Sequence, residues 1–329
     1  MTILNTLKRV AQNLDESYLD VVLSLFGDRP GIRGLLCHAV FNDEEEIVLN
    51  HVLPQQGLTI EHYRFLFESF RKLGYSFISS SSLSNGIDSK GKYIYLTFDD
   101  GYFNNTRILP LLKEYNVPAH IFVCSKNITN QTKFWWDVIH EKRSSEGLLA
   151  RDIDAEINSL KRKSDGEIED YVKDRFGKTS FYPLSEVDRP LTVGELEELA
   201  EDPLVTIGSH TDKHSILTNY SKEVARDEIV LGETEVRRIL GYCPRTFAFP
   251  NGNYTTTHLD ILDNIGFTIG LTCNEVINKL PSSLVGTNRL CLGRFCFTAY
   301  RPHSWQVKYF RVGHSIIELA RRLHSSING

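Results

Sequence analysis

Short apolar runs alternate with longer amphipathic stretches along most of the chain. The amphipathic stretches have the period of about 3.6 residues that is typical of helices. They lie at 59–73, 105–115, 222–240 and 260–266. The apolar runs have the length of strands, and they lie at 34–40, 75–78, 92–96, 119–124, 204–207, 246–249, 268–272 and 294–297. Because strands that alternate with helices pair in parallel, with the helices as crossovers, this order predicts an α/β fold.

Three further segments predict helices outside this alternation. An amphipathic stretch at 1–30 precedes the first strand, and another at about 312–326 follows the last one. Residues from about 130 to 200 are rich in charge and in helix formers, and here the alternation pauses. We interpret them as a helical insertion and not as a second domain. The 329 residues are therefore predicted to form a single domain whose core spans about 32–300.

Composition narrows the function classes. The formal net charge of −5 argues against a general nucleic-acid-binding protein. No apolar run of about 18 residues occurs, so no transmembrane helix is expected; the C-terminal helix leaves peripheral membrane contact open beside packing on the core. The N-terminus lacks the features of a signal peptide, which predicts a cytoplasmic protein. The six cysteines form no CxxC pair, so we expect neither a zinc knuckle nor a disulfide framework.

Two polar clusters follow predicted strands. Asp99 and Asp100 end one strand and precede a glycine, and neighbours on a strand point to opposite faces. His210 and His214 follow another strand and are four residues apart, which lets both imidazoles reach one ion. One carboxylate of the Asp pair would complete three protein ligands, and the other would deprotonate a water. Taken alone, either cluster is more often a solvated turn or an incidental spacing, but α/β proteins place their sites at such strand ends.

Both clusters resemble motifs of a known family. The segments 97–101 and 209–214 are similar to the first two motifs of the polysaccharide deacetylases, carbohydrate esterase family 4. Segments 134–137, 191–199 and 202–211 resemble a subgroup from bacterial cell-surface polysaccharide pathways, and the likeness runs from about residue 35 to about residue 297. The resemblance implies a distorted (β/α)7 barrel and a divalent metal, usually Zn²⁺, with Co²⁺, Ni²⁺ or Mn²⁺ as alternatives. It also implies that Asp99 is the base, and that the metal ligands are Asp100, His210 and His214.

The third motif of the family, Arg-x-Pro-aromatic-Gly, is altered in this chain. Here the segment reads Ala248-Phe-Pro-Asn-Gly252, so the proline and the glycine are kept while the arginine is absent. The backbone N–H of Asn251 is then expected to help bind the oxyanion. The arginine that orients the base in the family would have to come from elsewhere, and Arg294 on the last predicted strand is our candidate.

The general acid of the family is a histidine in a Leu-x-His motif, normally near the C-terminus. In this chain the pattern fits Leu36-Cys37-His38 on the first predicted strand, whereas His324 has the wrong spacing. Because a barrel is closed, a first strand can take the place of a last one, and some members carry the motif in this permuted order. We therefore predict a permuted subgroup with His38 as the general acid, and a hydrogen-bonded core histidine is the alternative.

Other residues permit two interpretations each. Trp135 and Trp136 could stack on a sugar ring or belong to the core. Asp137 could contact the substrate or cap a helix. The segment 161–163 reads Lys-Arg-Lys among acidic residues, which favours a solvated helix face.

The combined prediction is a metal-dependent deacetylase. Its substrate would be an acetylated amino sugar in a cell-surface polysaccharide, such as lipopolysaccharide, or in a lipid-linked or nucleotide-linked precursor. Two alternatives stay open. Two histidines and one carboxylate also form the site of non-haem iron oxygenases, and the missing third-motif arginine is compatible with a degenerate carbohydrate-binding barrel.

Overall fold

A computed structural model describes residues 3–317 of the chain. Its eight strands are all parallel to their neighbours and form one sheet. The strands are β1 Gly31–Cys37, β2 Ser76–Phe77, β3 Lys92–Phe98, β4 Ala119–Val123, β5 Val205–Ser209, β6 Thr246–Ala248, β7 Ile269–Leu271 and β8 Arg294–Cys296. The helices are α1 Ile3–Phe26, α2 Glu44–Val48, α3 Ile60–Lys72, α4 Ser80–Asn85, α5 Leu109–Tyr115, α6 Ser125–Asn130, α7 Trp135–Ser145, α8 Ala150–Leu160, α9 Asp165–Phe176, α10 Val193–Glu201, α11 Lys222–Leu240, α12 Thr256–Ile265 and α13 His303–Val312.

The sheet curls into a nearly closed barrel. Seven strands follow the order β7-β6-β5-β4-β3-β1-β8, and β2 pairs with the start of β3 outside this path. A parallel bridge between Leu271 and Leu292 links β7 to the segment that enters β8, so the two ends of the sheet meet. The predicted distorted (β/α)7 barrel is therefore confirmed. The first strand lies between β3 and β8, because the barrel closes around it.

The strands pack as their composition dictates. Every residue of β1 and β4 is buried, as expected for strands that are covered on both faces. Most helices cover the outside of the barrel, and α3 places Tyr63, Leu66, Phe67 and Phe70 against it at helical spacing. Inside the barrel, His120 is held between the hydroxyl groups of Tyr95 and Thr246, each 2.6 Å from a ring nitrogen.

The predicted helical insertion corresponds to five helices, α6 to α10, between β4 and β5. Its apolar side chains, which include Trp136, Ile153 and Ile157, form a cluster of their own. That cluster also contains Phe41, Tyr102 and other residues from loops that follow barrel strands. The insertion therefore packs over the carboxyl ends of the strands, which is where the two polar motifs lie.

Two predicted helices differ from the structure. The stretch 105–115 begins as a 3-10 helix at Phe103–Ile108, and the α-helix α5 starts only at Leu109, with Pro110 in its first turn. Most of the helix predicted at about 312–326 lies outside the described residues. Helix α13 was not predicted; it packs on α1 through hydrogen bonds such as that from Trp305 Nε1 to Asp15 Oδ2 at 3.0 Å. Within residues 3–317, no helix is both long and apolar enough to cross a membrane.

Candidate active site

The carboxyl ends of the parallel strands surround a cavity of about 280 Å³. Asp99, His210 and His38 come directly after the last residues of β3, β5 and β1, and Asp100 follows Asp99. Asn251 lies in the turn after β6. Because parallel strands end at the same side of a barrel, residues far apart in the chain line one cavity.

The backbone changes direction sharply at the second residue of the Asp pair. Asp100 has a φ of 79° and Gly101 a φ of 83°, both in the left-handed region. A Cβ on Gly101 would come within 2.9 Å of Val123 Cγ1, so both the turn and its packing on β4 favour glycine. Thr211, His214 and Asn251 also have positive φ values. Backbone strain of this kind tends to concentrate where function requires a particular side-chain position.

Asp99 is fully paired within the chain. Arg294 donates from Nη1 to Oδ1 and from Nη2 to Oδ2, both at 2.7 Å, in a bidentate ion pair. The guanidinium is itself fully buried and also donates to Thr97 Oγ1 and to the carbonyl of Thr272, both at 3.0 Å. Burial alone would raise the pKa of Asp99, but the Arg294 charge and the nearby His210 outweigh it and bring the pKa to about 2. Asp99 is therefore ionised and fixed in orientation.

Asp100 is the opposite case. Both of its carboxylate oxygens are buried and lack a hydrogen-bond partner among the described residues. Burial first, and then repulsion by Asp99, raise its pKa well above the ordinary value. A buried carboxylate without a partner costs free energy unless a cation neutralises it.

The two histidines complete the set of donors. His210 Nε2 lies 3.6 Å and His214 Nε2 lies 3.5 Å from Asp100 Oδ1. The three ligand atoms are all within 4.8 Å of one another, which fits one metal ion between them. His210 Nδ1 donates to the carbonyl of Ala248 at 2.7 Å, so the lone pair of Nε2 points towards Asp100. Burial lowers the pKa of both histidines, which favours the neutral form that binds metals.

The loop that carries the histidines is anchored on several sides. Ser215 N donates to Thr211 Oγ1 at 3.0 Å within the loop. Ser215 Oγ donates to Glu228 on α11 at 2.8 Å and also contacts Asp165 on α9. Asp212 accepts a hydrogen bond of 2.7 Å from Ser125 Oγ on α6. Helices of the insertion thus help to hold the histidine loop in place.

His38 lines the same cavity beside Asp99. Its Nδ1 is 3.0 Å from Gln56 Oε1, and Gln56 Nε2 donates to the carbonyl of Leu36 at 2.7 Å. Because the amide nitrogen of Gln56 is thereby assigned, its Oε1 accepts and His38 Nδ1 carries the hydrogen. His38 Nε2 is left for the cavity. Burial lowers the pKa of His38 to about 4, although the charge of Asp99 acts in the opposite direction.

The aromatic and charged residues of the insertion take different positions. Trp136 lines the cavity and packs edge-on against His214, with ring centroids 4.6 Å apart. Trp135 is half-buried and lines a separate cavity. Asp137 neither faces the cavity nor caps a helix; it accepts from Leu53 N at 2.8 Å and from Tyr102 Oη at 2.7 Å.

Sequence reasoning missed other residues of the cavity wall. Lys161 lines the cavity, whereas the sequence pattern favoured a solvated helix face for it. Gln55, Gln56, Ile157, Cys273 and Cys296 line it as well. Gln55, Gln56 and Cys273 lie in loops, Ile157 lies on α8 of the insertion, and Cys296 is the last residue of β8.

Comparison with known proteins adds a family. A family model described as polysaccharide deacetylase matches residues 86–270, more than half of the chain. No curated protein sequence matches the chain at a significant level.

Solved structures show similar folds. The Streptococcus pyogenes deacetylase PplD, solved with acetate, is 20% identical with a TM-score of 0.56, over 85% of this chain and 98% of that chain. IcaB from Ammonifex degensii is 18% identical with a TM-score of 0.56, over 86% and 98%. A de-N-acetylase from Aggregatibacter actinomycetemcomitans is 18% identical with a TM-score of 0.57, over 85% and 99%. At these identities the likeness establishes the fold.

Proposed function

The chain belongs to the polysaccharide deacetylase family, and from that premise we propose that it is a metal-dependent enzyme that hydrolyses the N-acetyl group of an amino sugar. Family membership supports deacetylase activity on a polysaccharide. The observation that carries the metal dependence is Asp100: within residues 3–317 its two buried oxygens lack a hydrogen-bond partner, while two imidazoles point at one of them. The substrate would be an acetylated amino sugar of a cell-surface polysaccharide or of its lipid-linked or nucleotide-linked precursor.

The donor set fits a divalent ion. Asp100, His210 and His214 would hold it, and one carboxylate with two imidazoles suits Zn²⁺, with Co²⁺, Ni²⁺ or Mn²⁺ as alternatives. Three protein donors leave positions open, as in catalytic sites. When bound, the ion supplies Lewis acidity, which polarises the amide carbonyl and acidifies a water.

Asp99 acts as the general base in this proposal. A carboxyl group with a pKa of about 2 is ionised at neutral pH and can accept a proton. It is too weak a base for ordinary water, so it requires a water that has been acidified. Arg294 is a positioning residue, because it holds both oxygens of Asp99 and fixes which face of the carboxylate meets the cavity.

His38 and Asn251 act on the leaving group and on the oxyanion. Gln56 accepts the hydrogen bond from His38 Nδ1 and leaves Nε2 free, so that Nε2 takes up a proton from solvent when the substrate is bound and then passes it to the departing amine. The negative charges of Asp99 and of the tetrahedral intermediate favour the protonated imidazole that this step requires. Asn251 lies in the turn Pro250–Gly252 and lines the cavity, which supports a role for its backbone N–H in binding the oxyanion.

The structure also bears on the alternatives. Arg294 forms the ion pair with Asp99 that the missing arginine of the third motif would otherwise form. The absence of that arginine therefore no longer favours a non-catalytic barrel. An oxygenase has no need for an arginine-fixed carboxylate next to its ligands. We further infer that the chain is one domain, since the insertion supplies Trp136 to the cavity of the barrel.

The proposal is tested by acetate release from acetylated glucosamine oligomers. Protein treated with a chelator and then dialysed should release little acetate, and added Zn²⁺ or Co²⁺ should restore the rate equally well under nitrogen and under air. Full activity of the metal-free protein would overturn the metal dependence. A strict requirement for iron and oxygen would favour the oxygenase.

A further inference from the structure

Lys161 brings a cation from the helical insertion to the wall of the cavity. It is the residue directly after α8, and among the described residues that line the cavity no other lysine or arginine is present. A cation at the C-terminal end of a helix is favoured by the helix dipole, which accounts for a surface lysine here. The dipole does not account for its place beside a metal site.

The ammonium group of Lys161 has no close partner among residues 3–317. Its Nζ makes no hydrogen bond to these residues, and none of their carboxylate oxygens lies within 4.0 Å of Nζ, the limit for an ion pair. Burial lowers its pKa, while Cys273, Asp100 and Asp154 act on it only through longer-range attraction. A partly buried cation with so little compensation gains free energy from an anion that enters the cavity.

Two other lysines differ from Lys161 in how their charge is compensated. Lys133 is fully buried, and it is held by Glu141 and, at 3.4 Å, by Asp188. Lys163, two residues beyond Lys161, is exposed and lies 3.6 Å from Glu167. The buried Lys133 has two carboxylate partners, and the exposed Lys163 has solvent and one carboxylate. Lys161 is partly buried, and no carboxylate among residues 3–317 forms an ion pair with it.

The remaining charges of the cavity would not repel an anion. Arg294 neutralises Asp99, and a bound divalent ion more than neutralises Asp100. Lys161 then makes the loaded cavity positive. Gln55 and Gln56 add polar but uncharged groups to the wall.

We propose that Lys161 binds an anionic group of the substrate, so that the enzyme prefers an acetylated amino sugar that carries a carboxylate or a phosphate. This inference rests on the proposed function and adds the substrate class. A uronic acid would supply the carboxylate, and a sugar phosphate or the diphosphate of a carrier-linked sugar would supply the phosphate. Both offer the anionic oxygens that an ammonium group recognises.

The test compares kcat/KM for four substrates that share the acetamido group. They are N-acetylglucosamine, its 1-phosphate, its 6-phosphate and N-acetylglucosaminuronic acid. A charge-assisted hydrogen bond is worth roughly a ten- to hundredfold preference, so at least one anionic substrate should exceed the neutral one by about that factor. The preferred arm identifies the source of the anion.

The variants assign the preference to Lys161. Lys161→Met should abolish it, and Lys161→Arg should keep most of it. Lys163→Met is the matched control, since it removes a cation near the same helix end but outside the cavity lining, and it should retain the full preference. An unchanged preference in Lys161→Met would overturn the inference, as would a wild type with no preference. A loss of bound zinc in Lys161→Met, measured by elemental analysis, would instead make Lys161 a support of the metal site and would also overturn it.

Binding separates this inference from the proposed function. Zinc-loaded Asp99→Asn protein is titrated with the preferred anionic sugar, with and without Lys161→Met. If the wild type released no acetate from any substrate but binding still depended on Lys161, the proposed function would fail and the anion site would stand. If all four substrates were hydrolysed equally well with and without Lys161, the function would stand and the anion site would fail.

Discussion

The two sides of the cavity differ in how completely the chain satisfies its own charges. On the side formed by β1, β3 and β8, Asp99 is bound by Arg294 through two bonds of 2.7 Å. On the side formed by β3 and β5, neither buried oxygen of Asp100 has a hydrogen-bond partner in the part of the chain that the structure describes. The two acids are adjacent in sequence, but Arg294 binds Asp99, whereas Asp100 Oδ1 lies 3.6 Å from His210 Nε2 and 3.5 Å from His214 Nε2. The first side is therefore organised without a ligand, whereas the second is built for a cation that the chain does not supply.

His38 follows β1, on the side of the cavity that is organised without a ligand. Its replacement should cause the largest loss of turnover among the variants proposed for this comparison. His38→Ala should lower the turnover of an amide substrate by about 10²- to 10⁴-fold, the usual range for a lost general acid, while zinc content stays normal. The loss should be much smaller for an activated aryl ester, because its leaving group needs no proton.

His120→Ala is the control for packing damage. His120 is a buried histidine of the barrel interior that does not line the cavity, so its removal should affect amide and ester alike. Equal losses on the two substrates in His38→Ala would show that His38 only packs.

Replacing Arg294, the partner of Asp99, should have the next largest effect, on both stability and the pH dependence of the rate. Arg294→Met leaves Asp99 buried without its partner, which should cost about 3–5 kcal/mol of unfolding free energy. The depressed pKa of Asp99 contributes stability above the unfolded pKa of about 3.9, and this stability is lost as the pH falls towards about 2. In the variant the pKa of Asp99 rises, so the acid limb of the pH–rate profile should move to higher pH.

Arg33→Met is the matched control for Arg294→Met. Arg33 is also fully buried, but its guanidinium donates to backbone carbonyls, such as those of Phe310 and Gly31. Its removal should destabilise the protein and leave the acid limb in place. If both variants gave the same pH profile, Arg294 would not set the pKa of Asp99.

On the side of the cavity that contains Asp100, metal binding should raise the free energy of unfolding. Zinc at about 100 times its Kd should raise the unfolding free energy by about 2.7 kcal/mol through mass action, which thermal unfolding with and without chelator measures. Without metal, the raised pKa of Asp100 means that its contribution to stability is lost as the pH rises above the unfolded pKa of about 3.9. Metal-free Asp100→Asn should therefore lose less stability than metal-free wild type between pH 5 and about pH 8. Equal losses would show that Asp100 is satisfied without a cation.

The sequence was most informative where a strand ends. The Asp pair and the His pair follow apolar runs, and parallel strands bring such ends together, so their proximity could be predicted without knowing the full fold. The alternation of strands and helices predicted parallel pairing, and the closure of the sheet into a barrel was implied by the family resemblance. The roles of Asp99, Asp100, His210 and His214 came from the family resemblance and stay predictions.

The sequence was least informative where tertiary packing decides. Lys161 stands in a charged local pattern, and only the fold of the insertion turns it towards the cavity. Asp137 was interpreted as a substrate contact or a helix cap, yet it is buried and binds Leu53 N and Tyr102 Oη, which come from other loops. Arg294 could be named as a candidate for orienting Asp99, but its contact depends on β8 lying beside β1, which no local pattern contains.

The measurement that tests the central claim most directly is the zinc content of two neighbouring variants, Asp99→Asn and Asp100→Asn. Each is purified, equilibrated with the same free zinc concentration and analysed for bound metal, together with its rate of acetate release. We expect Asp99→Asn to keep its zinc and to lose activity by about 10²- to 10⁴-fold. Asp100→Asn should bind zinc more weakly by at least about 10- to 100-fold, since even an outer partner of a ligand is worth that much. Normal zinc affinity in Asp100→Asn, or loss of zinc in Asp99→Asn, would contradict the division of the cavity into a side satisfied by the chain and a side that requires a cation.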